Sequence, residues 1–367
     1  MTGVSRPGRA LLLGGTGAMG AHLQDELVSA GWEVVVTSRR RRASRPGVSF
    51  IVGNAKDPVF LRSLSTENYD AVVDFMTWAP HAFEGVLPTL LGMSRQYVFL
   101  SSYRVFAEVP VITEASPRLL EACSDRRYTS GCEYAIAKAR EEDLLRSSSE
   151  SNWTIVRPAI TYSKGRFQLG TLEAGEWLWR ALRGLPVPMA REVLERECTL
   201  SWGRDVARMI AKLVGNSSAF REDFNVSTSK HQSWAEVLDL YRGMLGFKIR
   251  LVPLETYERY CCWCDRSLGY CPQLRYDRLV DRVLDNSKVL SVTGMAEVDT
   301  AGVGEGLASE LERFLRDPSF PAGISAYAQG GLDHACGHPS AFPAVAVLGR
   351  DIVRESCRYA KGWFRRA

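Results

Sequence analysis

The chain has 367 residues, 46% of them hydrophobic and 24% charged, with 31 glycines, 16 prolines and a formal net charge of +4. This is the composition of a globular protein with a substantial core, and it excludes a disordered, collagenous or disulfide-stapled chain. No apolar run reaches the roughly 18 residues needed to span a bilayer. The stretch before Gly14 is also too short for a secretory signal, so the expected compartment is the cytoplasm. From Ala346 to Ala367 there are six basic and two acidic residues, so this tail accounts for the whole net charge. The balanced remainder lacks the broad basic stripe of a nucleic-acid binder, and no nucleic-acid partner is favoured.

Along the first half, short apolar runs alternate with helical patterns. The runs are Leu11–Leu13, Val34–Val36, Phe50–Val52, Ala71–Phe75, Val98–Leu100 and Trp153–Val156. The pattern Ala18–Ala30, closed by Gly31, is a typical intervening helix. Strands apolar on both faces and separated by helices predict a parallel sheet covered on both sides. The fold class is therefore α/β: a Rossmann-type doubly wound sheet over residues 1–160, with a smaller C-terminal substrate lobe. Residues of about 195–230 are expected to return to the first domain, and 161–298 to form mainly the substrate lobe. Arg204–Val214 reads as a helix, and Ser233-x-x-Glu236 is a capping box opening another, Trp234–Leu245, ended by Gly246. About Thr161 to Pro188 and Phe247 to Asp285 read as irregular, and from Asp299 the pattern weakens. Residues 299–367 are set apart as an extension ending in a basic amphipathic helix, Val345 to Phe364.

Gly14, Gly17 and Gly20, in GGTGAMG, are spaced G-x-x-G-x-x-G between the first strand and first helix. Such a turn brings backbone close to a pyrophosphate, and the helix N-terminus offers unpaired N–H groups and its positive dipole end. Gly14, Thr16, Gly17, Ala18, Met19 and Gly20 are thus the candidate pyrophosphate cradle. The second strand ends VVVTSRRRR, where an NAD site normally carries an acid for the ribose 2′-hydroxyl. Thr37, Ser38, Arg39 and Arg40 stand there instead. Guanidinium groups suit a 2′-phosphate, so NADP is favoured over NAD, with Arg39 and Arg40 as its contacts.

In YAIAK, Tyr134 and Lys138 are four apart and project from one helix face. A free tyrosine has a pKa near 10, too high for proton exchange at neutral pH, and a neighbouring ammonium favours the phenolate. In YVFLSSYRVF, Ser101 and Ser102 follow a strand's C-terminal end, where doubly wound folds place their sites. Ser102 is the candidate that orients a substrate oxygen.

With GGTGAMG, VSFIVGNAKD, VVDF, SSYRVF, YAIAK, IVRPAITY, SWGRDVARMI and FNVS, the chain resembles the extended short-chain dehydrogenase/reductase superfamily, in particular the NAD-dependent epimerase/dehydratase family. The resemblance covers about residues 9 to 295. It implies Ser102, Tyr134 and Lys138 as the catalytic set, with Lys138 also on the nicotinamide ribose. It further implies Asn54, with Ala55, near the adenine, Phe75 and Met76 beside the cofactor, and Pro158 and Ala159 bordering the nicotinamide. DAVVDF and DNSKV are similar to a branch that includes chloroplast RNA-binding members. Asn54 stands where the family usually has Asp, and Ala107 where it has Gly.

The resemblance implies a nucleoside diphosphate sugar as substrate. Dehydratases of the family carry an acidic pair after the catalytic Ser/Thr, where this chain has Tyr103 and Arg104, so dehydration is disfavoured. The arginines after the second strand tilt the expectation to 4-keto reduction, with 4-epimerisation as the alternative. A reading of another class is a non-catalytic NADP-sensing or RNA-binding module. Arg157, Tyr162 and Arg204 are weaker substrate contacts, Arg157 being as good a structural ion-pair partner. The residues Cys261, Cys262, Cys264, Cys271, His334, Cys336 and His338 are of zinc-binding types but lack paired C-x-x-C knuckles, so no metal is expected. A homodimer is expected from the family. Surface membrane contact by the basic terminal helix is the lesser alternative to its packing on the lobe.

Overall fold

In the computed structural model, which describes residues 8–320, 323–339 and 352–364, the chain divides into two compact units. The first comprises the described residues up to Ser163 with Thr199–Ser229 and Leu284–Val303; the second comprises Lys164–Cys198, Lys230–Val283 and the described residues from Gly304 onward. The second unit thus takes in the described residues from Gly304 onward of the region that composition alone separates as an extension, whose first residues, up to Val303, belong to the first unit.

The first unit is built on a seven-stranded sheet of β1 (Arg9–Leu13), β2 (Glu33–Ser38), β3 (Val48–Val52), β4 (Tyr69–Asp74), β5 (Ser94–Leu100), β6 (Trp153–Pro158) and β7 (Glu222–Val226). Its order is β3-β2-β1-β4-β5-β6-β7, and every pairing is parallel. Successive side chains of a strand point to opposite faces. Ala10 and Leu12 of β1 accordingly join Val34, Val36, Leu23, Leu27, Val206 and Ile210 on one side. Leu11 and Leu13 join Val35, Val72, Phe83, Leu87 and Leu90 on the other. This two-faced burial is why the strands read as unbroken apolar runs.

Helices α1 (Ala18–Ser29), α2 (Pro58–Leu64), α3 (Pro80–Gly92) and α4 (Tyr134–Ser147) connect the early strands, and the helix expected at Arg204–Val214 runs Gly203–Leu213. The strand order reverses at β1, which lies between β2 and β4. In open parallel sheets such a reversal opens a crevice at the strands' C-terminal ends. The ends of β1, β2, β4 and β5 carry Gly14, Arg39, Phe75 and Ser101 respectively, so one edge collects the candidate residues.

In the second unit the capping box at Ser233 and Glu236 is formed, and Gly246 closes that helix in the left-handed conformation at φ 65°. Two stretches that read as irregular or patternless contain helices: Leu254–Cys261, and both Val303–Arg316 and Ala326–Cys336. The terminal helix is described as Ile352–Trp363, and the expected residues from Val345 to Asp351 lie outside the described residues. A Cβ on Gly330 would collide with the Tyr359 carbonyl, and one on Gly362 with the Tyr327 carbonyl, so Ala326–Cys336 and Ile352–Trp363 cross at backbone contact. The Tyr359 hydroxyl donates to Asp333 at 2.6 Å, and the Trp363 ring meets the His334 ring edge-on at 5.3 Å. The terminal helix therefore packs its half-buried Tyr359 and Trp363 against its own unit. Among the described residues no helix is long and apolar enough to cross a membrane.

Candidate active site

The glycine turn is shaped by its neighbours. Gly14 has φ +72°, and a Cβ there would lie 2.7 Å from the Met76 sulfur; a Cβ on Gly20 would lie 2.6 Å from the backbone of Gly15. These two glycines are demanded by the protein itself. Gly17 is different: a Cβ there meets nothing within 4 Å, and Gly17 caps α1 with no side-chain hydrogen bond. The first N–H groups of a helix have no partner inside it. Open space over an uncapped, positively polarised helix end suits a pyrophosphate, so Gly17, Ala18, Met19 and Gly20 fit the phosphates of a dinucleotide.

Thr37 holds the turn in place. Its buried Oγ1 accepts from the Gly14 N–H at 2.9 Å and lies 3.5 Å from the Leu12 carbonyl. Sequence reading treated Thr37 only as the absence of an acid; its buried hydroxyl at the end of an apolar strand was the available signal. Arg39, Arg40, Arg41 and Arg42 are all exposed beyond β2, and among the described residues no acid pairs with them. Asn54 is exposed beyond β3, with Ala55 buried beside it. Pro158 and Ala159 are buried at the end of β6.

The Tyr/Lys helix is tied to the glycine turn through one residue. The Lys138 ammonium donates to the Met76 carbonyl at 3.3 Å and sits 4.3 Å above the centre of the Phe99 ring. Met76 in turn packs on Gly14. Lys138 also donates to Glu141 at 2.9 Å, and both side chains are buried. Tyr134 is half-buried at the first position of α4, with the Arg104 guanidinium 5.3 Å from its ring centre. Ser102 is buried and caps the 3-10 turn Tyr103–Val105, its Oγ accepting from the Arg104 N–H at 3.2 Å. Arg104 is anchored by Glu133 at 2.7 Å. Arg104 thus bridges the serine turn and the tyrosine, a link no spacing rule indicated.

Beneath Lys138 lie groups that sequence reading did not single out. Asp74 ends β4 fully buried and accepts from the Met76 N–H at 2.7 Å, the Trp78 indole at 2.8 Å and the Tyr97 hydroxyl at 2.7 Å. Burial pushes its carboxyl above the usual range, against the pull of those donors. Burial also pushes the Glu141 carboxyl up to about 7, against the opposing pull of Lys138. A carboxylate closing the otherwise apolar run DAVVD was the signal for Asp74.

Next along α4, Glu142 receives Arg157 at 2.7 and 2.9 Å and the Ser101 hydroxyl at 2.6 Å. Arg157 further pairs with Asp223 at 2.8 Å. Arg157 is thus a structural tie between α4, β6 and β7. Arg204 stacks on Trp202 at 3.8 Å, and Tyr162 is buried. Among the described residues no three histidine, cysteine, aspartate or glutamate side chains converge as metal ligands.

Known proteins resemble this chain in sequence and in fold. A family model described as NAD(P)H-binding matches residues 14–179. The Arabidopsis thaliana chloroplast stem-loop binding protein of 41 kDa b is 27% identical over 240 residues, which are 61% of this chain and 59% of that protein, so the match spans less than two thirds of its length. An epimerase from Methanothermobacter thermautotrophicus superposes with a TM-score of 0.66 at 14% identity, over 85% of this chain and 93% of the other. A UDP-glucose-4-epimerase from Stenotrophomonas maltophila, solved with NAD and formylated UDP-arabinopyranose, gives 0.62 at 15% identity, over 84% of this chain and 98% of the other. At these identities the structural likeness is one of fold.

Proposed function

We propose that this chain, an NAD(P)-binding member of the extended short-chain dehydrogenase/reductase superfamily, is a nucleotide-sugar oxidoreductase that reduces a 4-keto group. One observation carries the reading: Lys138 is bonded to the carbonyl of Met76, whose side chain packs on the glycine turn. The catalytic helix and the dinucleotide cradle are therefore one construction.

When bound, the nicotinamide coenzyme supplies the hydride for the carbonyl carbon. Tyr134 delivers its hydroxyl proton to the carbonyl oxygen as that oxygen gains charge. Ser102, held on its turn, donates a hydrogen bond to the same oxygen and fixes its position. Lys138 places a positive charge one helical turn below the tyrosine, where it favours the developing anion. Arg39 and Arg40, exposed and without acidic partners at the end of β2, support NADP over NAD. The same residues run in reverse would begin a 4-epimerisation, and retention of a tightly bound NAD would favour that alternative.

The relative named as a stem-loop binding protein favours a second reading, an RNA-binding role on this fold. That role predicts RNA affinity falling steeply with salt, as released counterions require, and no turnover.

The test is NADPH against NADH binding, then a screen of 4-keto and 4-hydroxy nucleotide sugars with the parent and Tyr134→Phe. NADPH is expected to bind more tightly. The variant is expected to lose about a thousandfold in kcat while still binding coenzyme, as for removal of a general acid. Normal turnover by Tyr134→Phe would refute the role of the tyrosine.

A further inference from the structure

We infer that Glu141 is a positioning residue of the hydride-transfer site: it anchors the Lys138 ammonium and decides how much net positive charge the site presents to a bound coenzyme. The inference rests on the reading of this edge as a coenzyme site and goes beyond it, because neither the Tyr-x-x-x-Lys spacing nor the glycine turn calls for an acid three residues after the lysine.

The geometry is specific. Lys138 is only 2% exposed, so its charge has almost no water to stabilise it. Two of the ammonium's three donors are placed, on Glu141 Oε2 at 2.9 Å and the Met76 carbonyl at 3.3 Å. Without Glu141 the ammonium would keep only a neutral carbonyl and the Phe99 face, and nothing would fix its height under Tyr134. Glu141 is itself fully buried, and its second oxygen, Oε1, has no hydrogen-bond partner. A buried unsatisfied carboxylate oxygen is costly, so this arrangement is not what packing alone would choose.

The charges around Glu141 complete the argument. Lys138 and Glu142 face it from its own helix, Asp74 from the end of β4 and Tyr97 from β5. Glu142 is committed to Arg157, and Asp74 to its three donors. One buried ammonium is thus left between two buried acids, of which only Glu141 bonds to it. Burial holds the Glu141 carboxyl up to about 7. Below that pH Glu141 is neutral and does not offset the Lys138 charge; above it the ionised carboxylate adds a compensating negative charge beside the ammonium. The site therefore loses a positive charge as pH rises through neutrality.

The measurement is the affinity for NADPH, by quenching of protein fluorescence, from about pH 6 to about pH 8 in parent, Glu141→Gln and Glu141→Asp, on the full chain. The ratio of variant to parent removes the coenzyme's own phosphate titration. Parent affinity is expected to weaken by about threefold to tenfold more than that of Glu141→Gln across this range, as loss of one nearby charge predicts. Glu141→Asp, which keeps the charge on a shorter arm, is expected to restore part of the difference, and it remains informative should the glutamine variant fold poorly. In turnover, the rate-against-pH curve of the parent is expected to carry an inflection near neutrality that Glu141→Gln lacks. Parallel binding curves for all three proteins would overturn the inference while leaving the oxidoreductase reading intact. Absence of any NAD(P) binding by the parent would sink the reading, and the inference with it.

Discussion

Glu141 and Glu142 are neighbours on one helix, both fully buried, and they end in opposite electrostatic states. Glu142 meets a bidentate guanidinium and a hydroxyl, and Arg157 together with Ser101 holds its carboxyl below the usual range despite its burial. Glu141 meets a single ammonium, keeps one oxygen unsatisfied and shares its surroundings with Asp74, so burial wins and its carboxyl rises to about 7. Burial is common to both, so the number and geometry of the partners decide the sign. A guanidinium fork satisfies a carboxylate in a way that an ammonium, a point charge, does not. The cluster in which both Glu142 oxygens are satisfied ties α4 to β6 and β7. The unsatisfied one lies beneath the candidate catalytic lysine, where a group able to change charge near neutral pH has a use.

Three substitutions break or sharpen this contrast. The largest effect is expected from Glu142→Gln, which leaves the buried Arg157 with Asp223 as its remaining acidic partner and is predicted to cost about 3 kcal/mol in chemical denaturation at neutral pH. Because the folded state holds Glu142 low, its contribution is present above the unfolded carboxyl pKa and is lost as pH falls through the folded value. A glutamine variant as stable as the parent would show that the cluster contributes nothing.

Glu141→Gln is expected to act in the opposite sense. A raised folded pKa means that the folded state binds the proton more tightly than the unfolded chain, so parent stability declines as pH rises from the ordinary carboxyl range to about 7. The variant escapes that decline and is predicted to gain about 1–3 kcal/mol relative to the parent between acidic pH and pH above neutrality. Urea titrations at several pH values read the difference directly, and parallel stability curves would contradict it. The smallest effect is expected for Ser101→Ala, which removes one hydrogen bond to a charged acceptor. A loss of about 1–2 kcal/mol is predicted, with the acid limb of the stability curve moved to higher pH.

Much of the fold was legible in the chain. The apolar runs fell on the strands of the sheet because burial on both faces leaves no room for polar alternation. The capping box at Ser233 and the glycine at 246 bounded their helix as read, since caps are local chemistry. The glycine turn and Ser102 lie just beyond the C-terminal ends of β1 and β5, as strand-end positions do in a doubly wound topology, and Lys138 reaches Met76 beyond the end of β4. The helix Ala326–Cys336 was missed. Its two adjacent glycines read as loop, yet Gly330 is required by the close approach of the Tyr359 carbonyl from a helix distant in sequence. Arg157 likewise reads equally well as ligand or tie until Glu142 and Asp223 are seen around it.

What the sequence determined by itself was everything that depends on neighbours a few residues apart: strand and helix periods, caps, the flexible turn between the first strand and first helix, and the shared face of Tyr134 and Lys138. Only the tertiary structure decided which polar groups meet in the interior. It set Thr37 against the backbone of Gly14, Arg104 over Tyr134, and Asp74 and Tyr97 beneath the Lys138–Glu141 pair. The physical reason is that period and capping are short-range properties, whereas the ionisation of a buried acid is fixed by whichever strand ends happen to converge on it, and no spacing along the chain encodes that convergence.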